Sequence, residues 1–312
     1  MLEKLNSKVV SWSKDSWPWT NVYGLARTIM ALSTALTLAF NKAEILFKPA
    51  VGVTEYPSCS GNISIFCIAP STYFWLNIIR WICVFILIVV ASGWRPQITA
   101  PFHWWISYSL QVSALTIDGG EQVAAVFSML ILPIALTDTR KSHWGRTNEI
   151  EKSGNLYTRL IALLSYHAIR IQVAILYFNS TTAKLNQGEW IDGTAVYYYL
   201  QEHMLGLNPV LMDIFQPILS TWLIVIPTWG TLIVQSILIT ALFAPKKYWK
   251  TIFLIAIFMH EIFAIMLGLI SFSMIMISVL ILYLRPFEKE FQFKFLVSKK
   301  NKIKKDTFKE VV

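Results

Sequence analysis

Charge is scarce in this chain of 312 residues: Asp, Glu, Lys and Arg together make up 14%, against 55% hydrophobic residues. Mean hydropathy is +0.53. That excludes an ordinary soluble domain and predicts many transmembrane spans. The usual catalytic signatures are also missing. The chain has no GxSxG, no P-loop, no HExxH and no clustered cysteine or histidine set of the kind that holds zinc. Serine hydrolase, nucleotide-dependent and zinc chemistries therefore have no linear support. No short apolar segment with a small-residue cleavage site opens the chain, so the first span is expected to be a signal anchor.

Cysteine is rare as well, with three residues. Cys59 and Cys67 share the polar stretch EYPSCSGNISIFCIAP, whereas Cys83 falls inside an apolar run. The first two are expected to form a disulfide if that loop faces an oxidising compartment.

What is abundant is apolar sequence. Runs that could span a bilayer cover 22–40, 73–91, 103–117, 122–137, 160–178, 210–226, 229–244, 251–267 and 268–284. Several are short, and the expected fold is an all-α, polytopic transmembrane helix bundle with about eight spans (seven to nine). The stretch 251–284 would be about 51 Å long as one helix, too long for one crossing, and is expected to turn near Gly268. Trp12, Trp17 and Trp19 suggest an interfacial helix before the first span. The domain reading is an N-terminal interfacial segment over 1–20, a transmembrane domain over 21–285 and a basic tail over 286–312.

The net charge of +9 does not indicate nucleic acid. Nine Lys/Arg fall between Arg285 and Lys309, interleaved with five phenylalanines, a pattern suited to a cytoplasmic segment on an anionic bilayer or to a plain stop-transfer tail. Lysine and arginine also crowd 138–159 and 245–250, while 41–72, 118–121 and 179–209 are poor in them. The asymmetry predicts both termini in the cytoplasm. One conflict arises: if 210–226 and 229–244 both crossed fully, the basic tail would emerge outside.

Charged residues within apolar sequence are expensive and are often turned inward or paired. Arg27, Arg80, His167 with Arg170, and His260 with Glu261 are of this kind. Arg80 can be explained by snorkelling. Arg27, Arg170 and Glu261 suit structural ion pairs as well as a binding role. His167 and Arg170, three residues apart, share a helix face and can contact one ligand together. His260 suits a satisfied buried histidine or a proton relay equally.

The segment AILYFNSTTAKLNQGEWIDGTAVYYYL carries the strongest signal. It sets Lys184 just past an apolar run, ahead of Glu189, Trp190 and Asp192. A lysine held near hydrocarbon either snorkels to water or does chemistry, and it yields its proton more readily than one in water. In the predicted orientation Lys184, Asp118 and Glu121 lie on the outer side.

This segment resembles the signature of the vitamin K-dependent gamma-carboxylase-like membrane family, or HTTM domain: an aromatic run, a Lys-Leu pair, a Trp, a small or acidic residue, Gly and an aromatic helix. YGLARTIMAL is similar to that family's first span with its arginine, TIDGGEQVAAVFSMLILP to its acidic-glycine turn, and FMHEIFAIMLGLISFSMIMIS to its late histidine helix. The four likenesses occur in the family's order over roughly residues 20–285. The resemblance implies Lys184, before Leu185, as a base facing outward. Asp118, Glu121 or His260 would assist proton movement, and Asp192, Arg27, His167 and Arg170 would serve substrate binding with Trp190, for which core packing is the favoured rival reading.

Within that family the chain is most similar to a branch that matures a secreted peptide toxin. That implies as partners an exported peptide precursor, a small accessory maturation protein and the lipid bilayer, and no nucleic acid. The cofactor is unknown; a quinone is suggested by the family analogy alone. The histidine expected near Asp118-Gly119-Gly120-Glu121 is absent, as is the family's large extracytoplasmic domain, so a lysine site and a peptide substrate carry over rather than carboxylation. The first expectation is a membrane-embedded maturation factor that processes or modifies the precursor. Its rivals are a non-catalytic scaffold or exporter component and a small-molecule or quinone-binding membrane protein.

Overall fold

Eight helices of 15 residues or more run through the computed structural model: α1 Asn21–Phe40, α2 Tyr73–Ala91, α3 Pro96–Ser113, α4 Gly119–Leu136, α5 Leu156–Leu185, α6 Val225–Thr240, α7 Trp249–Leu267 and α8 Ile270–Leu284. The structure describes residues 10–13, 16–49, 56–115, 117–145, 155–202 and 206–292. Lys4, Lys8 and Lys14 and most of the 286–312 tail lie outside these. No strand occurs among the described residues, only an isolated bridge between Trp94 and Ser142. Among the described residues, six helical stretches are long and apolar enough to cross a membrane. The all-α bundle expected from composition is therefore the observed one.

The local signals that start and stop these helices are simple. The side chains of Thr20, Asp118 and Asn155 accept a backbone N–H at the starts of α1, α4 and α5. Gly268 ends α7 at φ +70° and turns the chain into α8, where an L side chain would be strained. The run 210–226 is not one span. It holds an 11-residue helix, Pro209–Leu219, only about 16 Å long and too short for a ~30 Å hydrocarbon core. The charge conflict thus disappears, because of the two adjacent runs only the second yields a long helix.

The eight helices alternate in direction and define two ends. At one, the Leu115 amide donates to the Leu46 carbonyl (2.9 Å) and Ser271 donates to Asp118 (2.7 Å). At the other, Trp19 Nε1 donates to the Ile134 carbonyl (3.1 Å) and Thr20 to the Phe287 carbonyl (2.7 Å). Trp19 is buried and, with Trp17, lies on irregular backbone, so the expected interfacial helix covers residues 10–13 only, among those described. The second end carries Arg95, Arg140, Lys141, Lys246, Lys247, Lys250, Arg285 and Lys289. The first carries Lys42, Lys48 and Lys184. We call them the basic end and the Lys184 end.

Helix α8 is the centre of the bundle. It is apolar on every side apart from Ser271, Ser273 and Ser278, is largely buried from Ser278 on, and packs on α1, α4, α5 and α7. A second core joins α2 and α3 to the loop after α1 through Phe47, Phe66 and Leu76. That loop is closed by the Cys59–Cys67 disulfide, with Cα atoms 5.8 Å apart. Arg80 does not snorkel. It is buried and donates to the carbonyls of Leu38, Ala39 and Asn41, where a cation suits the C-terminus of α1. At the basic end Asp138 pairs with Arg140 (2.8 Å) and accepts the Tyr23 hydroxyl.

Candidate functional site at the Lys184 end

Helix α5 is about 45 Å long, so its last turn projects beyond a ~30 Å hydrocarbon core. Lys184 sits in that turn, half-buried. Its Nζ donates to Ser180 Oγ (2.7 Å) and lies 5.3 Å from the centre of the Trp190 ring. It makes no ion pair among the described residues. Trp190 is buried in the short turn Gly188–Ile191, and its Nε1 has no partner among the described residues. The chain reaches this geometry cheaply. The backbone reverses at Gly193 (φ +87°), and a Cβ there would meet Val225 at 2.9 Å.

Below Lys184, Tyr177 and Thr181 continue the same face of α5, at spacings of seven and three. The Tyr177 hydroxyl bonds to His260 Nε2 (2.9 Å), and Thr181 donates to Gln235 on α6 (3.3 Å). His260 is buried, its Nδ1 unpartnered among the described residues, and its ring lies 5.6 Å from that of Phe272. A polar column therefore descends from Lys184 into the bundle.

Asp118 and Glu121 form a second group at the same end. Asp118 caps α4 and accepts from Ser271, while Glu121 is buried and accepts from Thr34 (3.0 Å). The other Glu121 oxygen has no partner among the described residues. Phe272 stands between the groups: its ring faces His260, and its Cα would lie 2.9 Å from a Cβ on Gly120. Lys184, Trp190 and His260 are thus gathered, with Asp118 and Glu121 adjacent behind Phe272.

The other sequence candidates are not brought there. Asp192 is exposed and occupied with its own turn, where hydrogen bonds from Thr194 hold its carboxyl below the usual range. Arg170 and His167 lie on α5 fourteen and seventeen residues before Lys184, about 21–26 Å along the helix, toward the basic end. Arg27 is buried opposite Thr99, also toward the basic end. Sequence reasoning missed Tyr177, Ser180 and Gln235. The first two could have been found by their helical spacing from Lys184; Gln235 only by the fold.

No family model matches the chain, and no solved structure matches it. The likeness to the gamma-carboxylase-like family therefore remains one of motifs. Two proteins of Bacillus subtilis strain 168 do match over nearly the whole length. The uncharacterised protein YitO is 54% identical over 296 residues, 95% of each chain. The sporulation-delaying protein SdpB is 38% identical over 276 residues, covering 87% of this chain and 83% of SdpB. With that identity along most of both chains, this protein belongs to the family of the sporulation-delaying protein SdpB.

Proposed function

We propose that this protein is a membrane-embedded maturation factor that processes or modifies an exported peptide toxin precursor in a sporulation-delaying system, at the outer face of the cell membrane. The outer assignment places the Lys184 end outside and the basic end in the cytoplasm. The observation that carries the reading is Lys184 itself. It is half-buried and hydrogen-bonded to a neutral hydroxyl, held over Trp190 with no carboxylate partner among the described residues. No carboxylate holds the charge there, so the amine is free, once deprotonated, to take a proton from a substrate. The His260–Tyr177 pair below it gives a two-membered proton path, and Trp190 offers a ring face and a free N–H for substrate contact.

A quinone, suggested by the motif likeness, would be held by the Lys184 amine and Trp190 Nε1, donors from which its oxygens would accept. Bound in reduced form it would supply a proton for Lys184 to remove.

The test is mass spectrometry of the secreted peptide from cells carrying wild type, Lys184→Ala or Lys184→Arg, normalised to membrane protein. A base is replaceable by neither, and general-base catalysis contributes roughly 10²–10⁴-fold. Both variants should release unprocessed precursor at unchanged membrane abundance. Mature peptide from Lys184→Ala would leave a non-catalytic scaffold presenting the precursor to another enzyme.

A further inference from the structure

The basic end holds a cavity that the proposed function does not use. It has a volume of about 230 Å³ and lies where α5, α7 and α8 meet the segment after α8. Its walls include His167, Arg170, Lys246, Trp249, Arg285 and Glu288. Three permanent cations face one carboxylate there, which leaves a net positive lining.

Two observations indicate an anionic ligand. Arg170 makes no ion pair among the described residues. Its guanidinium is stacked 4.4 Å over Trp249 and donates one hydrogen bond, to the Leu242 carbonyl (3.3 Å), while its buried Nε has no partner among the described residues. Stacking fixes the plane of the fork and leaves donors directed at whatever enters. Lys246 lies 5.9 Å from the centre of the Trp249 ring and makes an exposed pair with Glu288 (3.2 Å), the kind of contact that contributes little and opens easily. His167 adds a ring nitrogen one turn from Arg170, on the same face.

We propose that this cavity binds the phosphate headgroup of an acidic phospholipid. Arginine and lysine together suit a phosphodiester, and the volume falls below the roughly 300–1,000 Å³ of pockets that enclose drug-sized ligands. The apolar part of the wall supports a lipid rather than a free ion. Trp12 packs tilted against His167, ring centres 5.6 Å apart, and Leu282 and Phe287 complete the apolar part of the wall. Basic pockets between spans at the cytoplasmic side are suited to such headgroups. The site is independent of the chemistry at the Lys184 end.

The test uses the full chain, purified and delipidated in a neutral detergent and titrated with phosphatidylglycerol or phosphatidylcholine under native mass spectrometry. One phosphatidylglycerol per chain should be retained, with phosphatidylcholine bound far more weakly. Arg170→Gln should weaken retention by on the order of tenfold, about 1.4 kcal/mol. Lys246→Gln, on a largely exposed side chain, should weaken it too, and keeps the test readable if the arginine variant does not fold. Lys42→Gln, at the opposite end, should not change it. Equal retention of the two lipids, or wild-type retention by Lys246→Gln and by a folded Arg170→Gln, would overturn the proposal. Displacement of phosphatidylglycerol by millimolar inorganic phosphate would replace the lipid with free phosphate as the ligand.

Discussion

Arg140 and Lys184 are both cations at helix ends, on opposite ends of the bundle, and they are treated in opposite ways. Arg140 is buried, grips Asp138 through two nitrogens at 2.8 Å, and reaches the Gly145 carbonyl; Tyr23 donates to the same carboxylate. Every oxygen of Asp138 is occupied. Lys184 has a serine hydroxyl, a tryptophan face and no counter-charge among the described residues. The first arrangement is closed and has nothing left to offer a substrate. The second leaves a charge, an indole N–H and one carboxylate oxygen of nearby Glu121 unanswered. Between these two cations it is the satisfaction of the partners, not the residue type, that differs, and the proposed chemical role of Lys184 rests on that difference.

The comparison is broken most directly by removing one partner of the closed pair. Asp138→Ala strands Arg140 inside the protein, and truncating one member of a buried pair costs about 3–5 kcal/mol. Membrane abundance should fall sharply, and thermal unfolding in detergent should shift down by many degrees. Lys184→Ala, by contrast, should leave both within about 1 kcal/mol of wild type. Equal loss of abundance for the two variants would mean that Lys184 is a folding residue, and the chemical reading of the Lys184 end would fail.

A smaller effect is expected at the disulfide. Cys59 and Cys67 close a loop with a sequence separation of 8, and restoring that freedom to the unfolded chain costs about 2–3 kcal/mol in the chain-entropy account. The loop also leans on the bundle, since the Ser58 amide donates to the Ser113 carbonyl and Phe66 is buried beside Phe47. Cys59→Ser with Cys67→Ser should lower the unfolding temperature in non-reducing buffer, and dithiothreitol should then have no further effect. An unfolding temperature identical to that of oxidised wild type would show that the loop is held by packing alone.

How legible all this was depends on how far apart in sequence the partners lie. Helix α2 was readable to the residue because its run, 73–91, is apolar apart from Asn77 and Arg80 and holds no Pro or Gly. The turn at Gly268 followed from length alone. The run 210–226 misled because hydropathy ignores the start at Pro209 and the break at Ser220 and Thr221, whose hydroxyls donate to the Gln216 and Ile218 carbonyls where the helix ends. At the site, Lys184 and Trp190 are six residues apart and could be read together. Tyr177 and His260 are separated by 83 positions, and Asp118 and Ser271 by 153, so only packing around α8 joins them. Arg170 groups with Lys184 in the sequence as a substrate-binding candidate, through its helix face shared with His167. Fourteen residues of helical rise put them toward opposite ends.

The smallest expected effect sharpens the comparison at the Lys184 end. Gly268 has φ +70°, a region that costs an L residue about 1 kcal/mol, and a Cβ added there would meet nothing within 4 Å. Gly268→Ala should therefore cost conformational strain and no clash, and Gly268→Asn should cost less, because asparagine tolerates the left-handed region. The turn sits between His260 on α7 and Ser271 on α8, so it sets the spacing of the His260–Tyr177 pair, the proposed proton path, from the Asp118 group. If strain is absorbed locally, both variants unfold slightly earlier in a detergent melt and process peptide normally. If Gly268→Ala instead loses peptide maturation while Gly268→Asn keeps it, the angle between α7 and α8 belongs to the chemistry. The Lys184 end would then differ from the Arg140 end in a second respect: its backbone, as well as its charges, would be set for function at some expense of stability.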